Sequence, residues 1–448
     1  MRGTVGLEEE VLKRIVPSPE EEVKLRATAE DVKRRVAERV RALGFDAEAL
    51  LVGSVAKGTH LRQAELDIFV CFPRTMPRET LEKVGLEVGE FLQEKARMYA
   101  EHPYTRGRWN GFEVEVVPCY RITDASERMS AVDRTPLHAQ YVIGKLGPNQ
   151  RNEVRLLKAF CEGIGTYGAE AKVQGFSGYL CELLVLRYGT FRGVLEAART
   201  WRRGTPIELD LRAVKTFPEP LILVDPVDAE RNVASAVGEE MLATFVHAAK
   251  EYLATPRIEF FFPRPRPSIS AAKARAVLNR RGTTLLGIIL RAPTVTDDIL
   301  YPQVRKAHRA VEDLCRRASF RVSRSRFAVV GGEVILLFEF EVFALPTAEK
   351  HRGPPVAVKN ADEFLKRWRG AKDALSLPYI EGDRWVVDVR REATDAAKLV
   401  RVRLRSLSLG SHLDKNAKSA RLRTGAQLFT KQFLPEVTRL LVPRFPWE

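Results

Sequence analysis

At 448 residues the chain is longer than one hydrophobic core ordinarily supports, so two to four domains are expected. Its 45% hydrophobic and 29% charged residues describe a folded protein, and five dispersed cysteines with no CxxC pair argue against zinc and against a disulfide framework, which suits a reduced, cytoplasmic compartment. No long apolar run predicts a membrane helix, the early Glu8-Glu9-Glu10 run speaks against a secretory signal, and a formal net charge of +15 points to a polyanionic partner without naming it.

Pro17-Ser18-Pro19 separates a short helix from a longer one, which starts near Pro19 with Ser18 or a neighbour as its cap and is stopped by Gly44. Residues 49–52 and 66–72 read as strands, 77–94 as a charged amphipathic helix, and 112–117 as a third strand ended by Pro118. Strand, turn, strand, helix, strand makes an α/β unit over roughly residues 30–135. After Pro148 the pattern turns helical, with helices expected at 152–162, 177–188, 191–201 and 236–254. Strands return at 285–290, 328–330 and 334–343, with a helix at 301–318 and a hairpin turn at Gly331-Gly332. A further α/β excursion carries a helix near 362–372 and a strand at 385–390. The expected class is α+β and multidomain, divided at 1–148, 149–256 and 257–448, with an α/β tail insertion around 320–395.

Glu65 and Asp67 are two apart in a strand and leave the same face, while Leu66 and Ile68 turn to a core. Alone, that alternation is what any half-exposed strand shows. The preceding Val52-Gly53-Ser54-Val55-Ala56-Lys57-Gly58-Thr59 adds weight. Gly53 lets backbone N–H groups approach phosphate oxygens, Ser54 offers a hydroxyl, Lys57 brings charge, and Gly58 allows a second tight turn. Glu113 and Glu115 repeat the acidic alternation on another strand. If the two strands are neighbours, three or four carboxylates converge, an arrangement that needs cations. Two magnesium ions would meet that need, activating an attacking hydroxyl and neutralising a leaving diphosphate. The expected reaction is in-line attack of a primer hydroxyl on an α-phosphate, with no covalent enzyme intermediate.

Further stretches sharpen this reading: Val116-Val117-Pro118-Cys119-Tyr120, Ala131-Val132-Asp133-Arg134-Thr135-Pro136-Leu137-His138, Asn152-Glu153-Val154-Arg155-Leu156-Leu157-Lys158, Tyr167-Gly168-Ala169-Glu170, Gly175-Phe176-Ser177-Gly178-Tyr179-Leu180-Cys181-Glu182-Leu183, and Val224-Asp225-Pro226-Val227-Asp228 through Arg231-Asn232-Val233-Ala234. In that order and spacing, over the first 250 residues and less sharply beyond, the chain resembles the archaeal-type, class I CCA-adding tRNA nucleotidyltransferases of the DNA polymerase β-like superfamily. The resemblance implies a polymerase β-like nucleotidyltransferase head, a mainly helical central nucleotide-recognition domain and α/β C-terminal tRNA-binding domains. It also implies template-independent addition and repair of the 3′-terminal CCA of tRNA from CTP and ATP, with Mg2+ as cofactor. Glu65, Asp67 and Glu115 would be the catalytic, metal-binding acids; the family usually has aspartate at the last position, and the extra methylene here either slows turnover or is absorbed by a backbone shift. Ser54, Lys57, Thr135, His138, Lys158 and Tyr167 would contact triphosphate or ribose, and Arg231 the incoming base.

Without the resemblance, Lys158 reads as a solvated lysine, His138 and Tyr167 as core or boundary residues, Asp225-Pro226 as a turn and Asp228 as the cap of the next helix. Two basic tracts fit an RNA partner held by backbone and shape: residues 264–291, with seven arginines or lysines and no acid, and 398–431, with nine against Asp414 alone. A second copy of the chain, as a homodimer, is the remaining partner expectation, and no membrane partner is expected. A poly(A)-type terminal nucleotidyltransferase would share the metal chemistry without the CTP-to-ATP switch. A basic RNA chaperone would bind without incorporating.

Overall fold

The N-terminal helices follow the punctuation of the sequence. In the computed structural model, which describes residues 2–99 and 101–448, helix α1 (Arg2–Ile15) ends before Pro17, and Ser18 caps α2 (Pro19–Ala42). The Ser18 hydroxyl accepts from the Glu21 amide at 3.2 Å while the Glu21 carboxylate accepts from the Ser18 amide at 2.7 Å, a reciprocal capping box. Gly44, at φ 80°, turns the chain out of the helix.

The head is a five-stranded sheet in the order β1-β2-β5-β4-β3, built from β1 (Glu48–Val52), β2 (Glu65–Phe72), β3 (Gln93–Tyr99), β4 (Pro103–Trp109) and β5 (Phe112–Tyr120). Only β2 and β5 run parallel. The turn after β1 closes into a short helix, α3 (Gly53–Lys57). One sheet face is buried: Leu66, Ile68, Val70, Val114 and Val116 pack with α2 and with α4 (Arg78–Val88). The opposite face carries Glu65, Asp67, Glu113 and Glu115, then runs into a small apolar cluster of Phe69, Cys71, Val117 and Cys119 with Ala139.

Two expectations for the head need correction. The helix placed at 77–94 stops at Val88, and its last residues belong to β3. Charged and mostly exposed, β3 has no alternation to read and becomes a strand through pairing with β4. Pro118 does not end β5 but lies inside it, beyond the last β4 pair at Thr105 and Val116, where that side of β5 has no neighbour needing its N–H.

From β5 the chain enters α5 (Thr135–Lys145) through a turn fixed by buried Asp133, which accepts from the amides of Tyr120, Met129 and Ser130 at 2.7–2.9 Å. Helices α6 (Pro148–Ile164), α7 (Gly178–Tyr188), α8 (Phe191–Ala198) and α9 (Glu239–Ala254) then surround an aromatic core centred on Phe160, which contacts Phe191, Phe245, Tyr252 and Phe260. The last residues of the chain return here, with Trp447 stacked on Phe260 and donating to Glu251 at 2.6 Å. Between α8 and α9 lie short strands β6 (Pro206–Ile207), β7 (Ile222–Asp225) and β8 (Asp228–Asn232). Asp225-Pro226 is the turn expected, but Asp228 opens β8 and caps no helix.

Residues up to Arg264, with Phe445–Glu448, form one compact unit, and Pro265–Arg444 form another. The second has a four-stranded sheet in the order β10-β11-β9-β15, from β9 (Thr284–Arg291), β10 (Val322–Val330), β11 (Glu333–Phe340) and β15 (Arg421–Thr424), with α10 (Ala271–Arg281), α11 (Asp297–Arg317) and α14 (Leu434–Leu441). Gly331 and Gly332, at φ 58° and 75°, make the β10–β11 hairpin turn. A three-stranded sheet of β12 (Ala348–Pro355), β14 (Arg384–Arg390) and β13 (Tyr379–Glu381) carries α12 (Ala361–Trp368), and α13 (Ala396–Arg403) follows. The helix expected at 362–372 ends early because Gly370, at φ 81°, breaks it.

Candidate active site

The parallel register of β2 and β5 sets Glu65 beside Glu113 and Asp67 beside Glu115. Both pairs lie on the sheet face that the α2 and α4 core leaves free, so four acids share one edge. Burial, and then the charges of Glu115 and Glu65, push the Asp67 carboxyl up to about 7. Burial likewise raises Glu115, against the pull of Arg106.

Arg106, on β4 directly opposite Glu115, was not singled out in the sequence. Its guanidinium donates to Glu113 and to Glu65, the latter at 3.2 Å, and its Nε lies 3.8 Å from Glu115. Tyr104 adds a hydroxyl 3.4 Å from Glu115. Among the described residues no group of three His, Cys, Asp or Glu side chains is arranged to hold a metal ion. The donor set nevertheless fits a hard divalent cation: carboxylate oxygens on adjoining strands, and an Asp67 whose raised pKa marks negative charge in need of compensation.

The turn and the carboxylates are in contact. Gly53 has φ 68°, and a Cβ there would lie 1.7 Å from Asp67 Oδ2. Any side chain at this position collides with the acid, so backbone and carboxylate approach as only glycine permits. Ser54 follows in the first turn of α3, and Gly58 closes it at φ 69°.

Lys57 and Lys158 are both buried, so Lys158 is not the solvated lysine it reads as without the resemblance. They converge on Glu182 of α7. Lys57 donates to it at 2.6 Å, Thr59 at 2.6 Å and Lys158 at 3.2 Å, and Lys158 also donates to Thr59 Oγ1 and to the Thr59 carbonyl. Burial alone would raise Glu182, but Lys158 and Lys57 outweigh it and hold the carboxyl low. Tyr167 closes this group: a Cβ on Gly178 would lie 3.1 Å from the Tyr167 hydroxyl and 3.4 Å from Lys158 Nζ.

His138 and Arg231 meet on a second buried acid, Asp225, each with a nitrogen 2.8 Å from its Oδ2. Tyr179 donates to the other oxygen at 3.3 Å, and its ring stacks on His138 with centroids 4.2 Å apart. The same ring lies 5.5 Å from Lys57 Nζ, linking the two groups. Burial lowers His138 below the usual imidazole range despite Asp225, so its Nε2 is the donor of a neutral ring. Thr135 is the first residue of α5, one turn before His138. Asp228 accepts from Arg134 at 2.7 Å, tying β8 to the start of α5.

The expected site residues thus fall into three groups, around the carboxylate edge, Glu182 and Asp225. Glu182 and Tyr179 lie inside a quoted stretch but received no role. Their signal was an acid and a phenol in the apolar first turns of the helix, each needing a partner once buried.

Residues 30–138 match the nucleotidyltransferase domain family, 152–262 the second domain of tRNA nucleotidyltransferase, and 281–424 the C-terminal domain of CCA-adding enzymes. The chain is 40% identical over 412 residues to a CCA-adding enzyme of Thermoplasma acidophilum, spanning 92% of this chain and 93% of that one. It is 40% identical over 403 residues to one of Haloarcula marismortui, spanning 86% of each chain. A third, from Methanoregula boonei, is 36% identical over 456 aligned residues, spanning 100% of this chain and 97% of its own.

Proposed function

The chain belongs to the archaeal-type, class I CCA-adding enzymes of the DNA polymerase β-like nucleotidyltransferase superfamily, and from that footing we propose how its own residues carry the reaction. The enzyme adds the 3′-terminal CCA of tRNA without a template, from CTP and ATP. Family membership implies a magnesium-dependent, two-metal reaction.

Glu65, Asp67 and Glu115 would hold the magnesium, which would supply Lewis-acid stabilisation of the attacking hydroxylate and of the leaving diphosphate. Ser54 and the backbone of α3 cradle the phosphates. Lys57, anchored by Glu182 and lying under the Tyr179 ring, brings positive charge to the turn. Lys158, its N–H groups directed to Thr59 and Glu182, contributes charge and holds the wall of the site. Tyr167, Thr135 and His138 address ribose and phosphate. Arg231 uses one guanidinium nitrogen on Asp225, which fixes the fork so that its remaining donors read the base.

The three-domain division at residues 148 and 256, with an α/β insertion around 320–395, completes this reading. A cytoplasmic location fits five unpaired, buried cysteines. Among the described residues no helix is long and apolar enough to cross a membrane. The expected homodimer finds no support in the fold or the comparisons.

The observation that carries the assignment is the contact of Gly53 with Asp67, which joins phosphate turn and metal acid in one place. Gly53→Ala and Asp67→Ala should each abolish magnesium-dependent incorporation while tRNA binding persists. Wild-type rates in either variant would remove the assignment.

A further inference from the structure

The carboxylate edge carries a cation of its own, and the reaction as described gives it nothing to do. Arg106 touches three acids at once, and Glu113, one of them, is not among the metal acids. The two are held in place by the sheet: Arg106 faces Glu115 across β4 and β5, while Glu113 pairs with Glu65 across β5 and β2. A guanidinium can serve several carboxylates through its fork of donors. That of Arg106 lies on Glu65 Oε1 and Glu115 Oε1, and its positive charge competes with a divalent cation for the same two carboxylates.

We propose that Arg106 is a displaceable counter-ion of the metal site and that Glu113 is its resting partner. With no divalent cation present, Arg106 screens Glu65 and Glu115, which would otherwise repel one another beside Asp67. As those two acids turn to a cation, Arg106 gives them up and stays on Glu113, to which its guanidinium already donates. This makes Arg106 a competitor for the site and Glu113 the group that draws it away. The inference rests on the reading that Glu65, Asp67 and Glu115 hold the metal.

The test is direct binding of Mn2+ to the full-length protein without nucleotide, followed by the paramagnetic resonance signal of free Mn2+. Arg106→Gln should bind Mn2+ about fivefold more tightly, and Glu113→Gln about threefold more weakly, shifts in keeping with part-exposed ion pairs. The Glu113→Gln effect should shrink when Arg106→Gln is already present, since no guanidinium remains to be drawn off. Arg106→Lys, which keeps the charge and loses the fork, should fall between wild type and Arg106→Gln and guards against a folding defect in the latter. Unchanged or weaker binding by Arg106→Gln overturns the proposal, because Arg106 then supports the carboxylates instead of competing for them. An equal Glu113→Gln effect in both backgrounds overturns the resting-partner role. Asp67→Ala separates this failure from that of the underlying assignment: if it binds Mn2+ as wild type does, the metal reading itself is wrong.

Discussion

Asp67 sits where three influences meet: its own burial, the charges of Glu115 and Glu65, and the backbone of Gly53 pressed against it. Its folded pKa, about 7, lies above the ordinary 3.8, so between those values the native protein keeps a proton the unfolded chain has released. The stability this represents is present below about pH 4 and lost as pH rises through about 7, by at most about 4 kcal/mol in metal-free protein. Asp67→Asn should therefore melt higher than wild type at pH 8 in a chelator, with the difference closing toward pH 4. A difference independent of pH would contradict the cause given. Glu115 is the neighbouring departure from the family's aspartate. It is already positioned by Arg106 and the Tyr104 hydroxyl, so Glu115→Asp should lose those contacts and change kcat by no more than about tenfold in either direction. A loss near a thousandfold would show that the extra methylene is required here.

At the scale of elements, the site is a junction of α3, α6 and α7, and Glu182 is its pin. A buried acid serving two buried lysines and a threonine is costly to break, because removing it leaves two cations without an anion. Glu182→Ala should destabilise the protein by about 3–5 kcal/mol. The milder Glu182→Gln should raise KM for CTP and ATP alike; an effect on one nucleotide only would place Glu182 in base selection instead. Much of this junction could not be read from sequence. Lys57 and Glu182 are 125 positions apart, and nothing local in either segment names the other. Strand β3 was hidden for a related reason: Gln93 and Glu94 read as the end of a charged helix, and the segment becomes a strand through pairing with β4 from Gln93 and Ala96 onward. By contrast, α2 was legible almost to the residue, because its cap, its proline and its closing glycine act on their immediate neighbours. The acidic strands were legible for the same reason, since alternation places Glu65 with Asp67 and Glu113 with Glu115 whatever their partners. Their adjacency, and the arginine laid across them, are properties of the sheet.

Across the whole molecule, a net charge of +15 provides a long-range attraction for tRNA, but its basic residues are not equally available. Arg281 is committed to Glu339 through two 3.1 Å contacts and to the Leu441 carbonyl at 2.8 Å, so its loss should cost stability before affinity. Arg405 and Arg423 are exposed, and replacing each with glutamine should weaken tRNA binding and flatten its salt dependence by roughly one contact apiece. An unchanged salt slope would place the RNA on another face. The central claim is that this geometry builds CCA from two nucleotides and then stops. It is tested most directly by incubating the full-length enzyme with magnesium and tRNAs ending at the discriminator base, at the second cytosine and at completed CCA, with CTP and ATP supplied singly and together. The account predicts two cytidines on the first with CTP alone, one adenosine on the second with ATP alone, and no addition to the third. Long adenosine tracts on all three, independent of CTP, would contradict it.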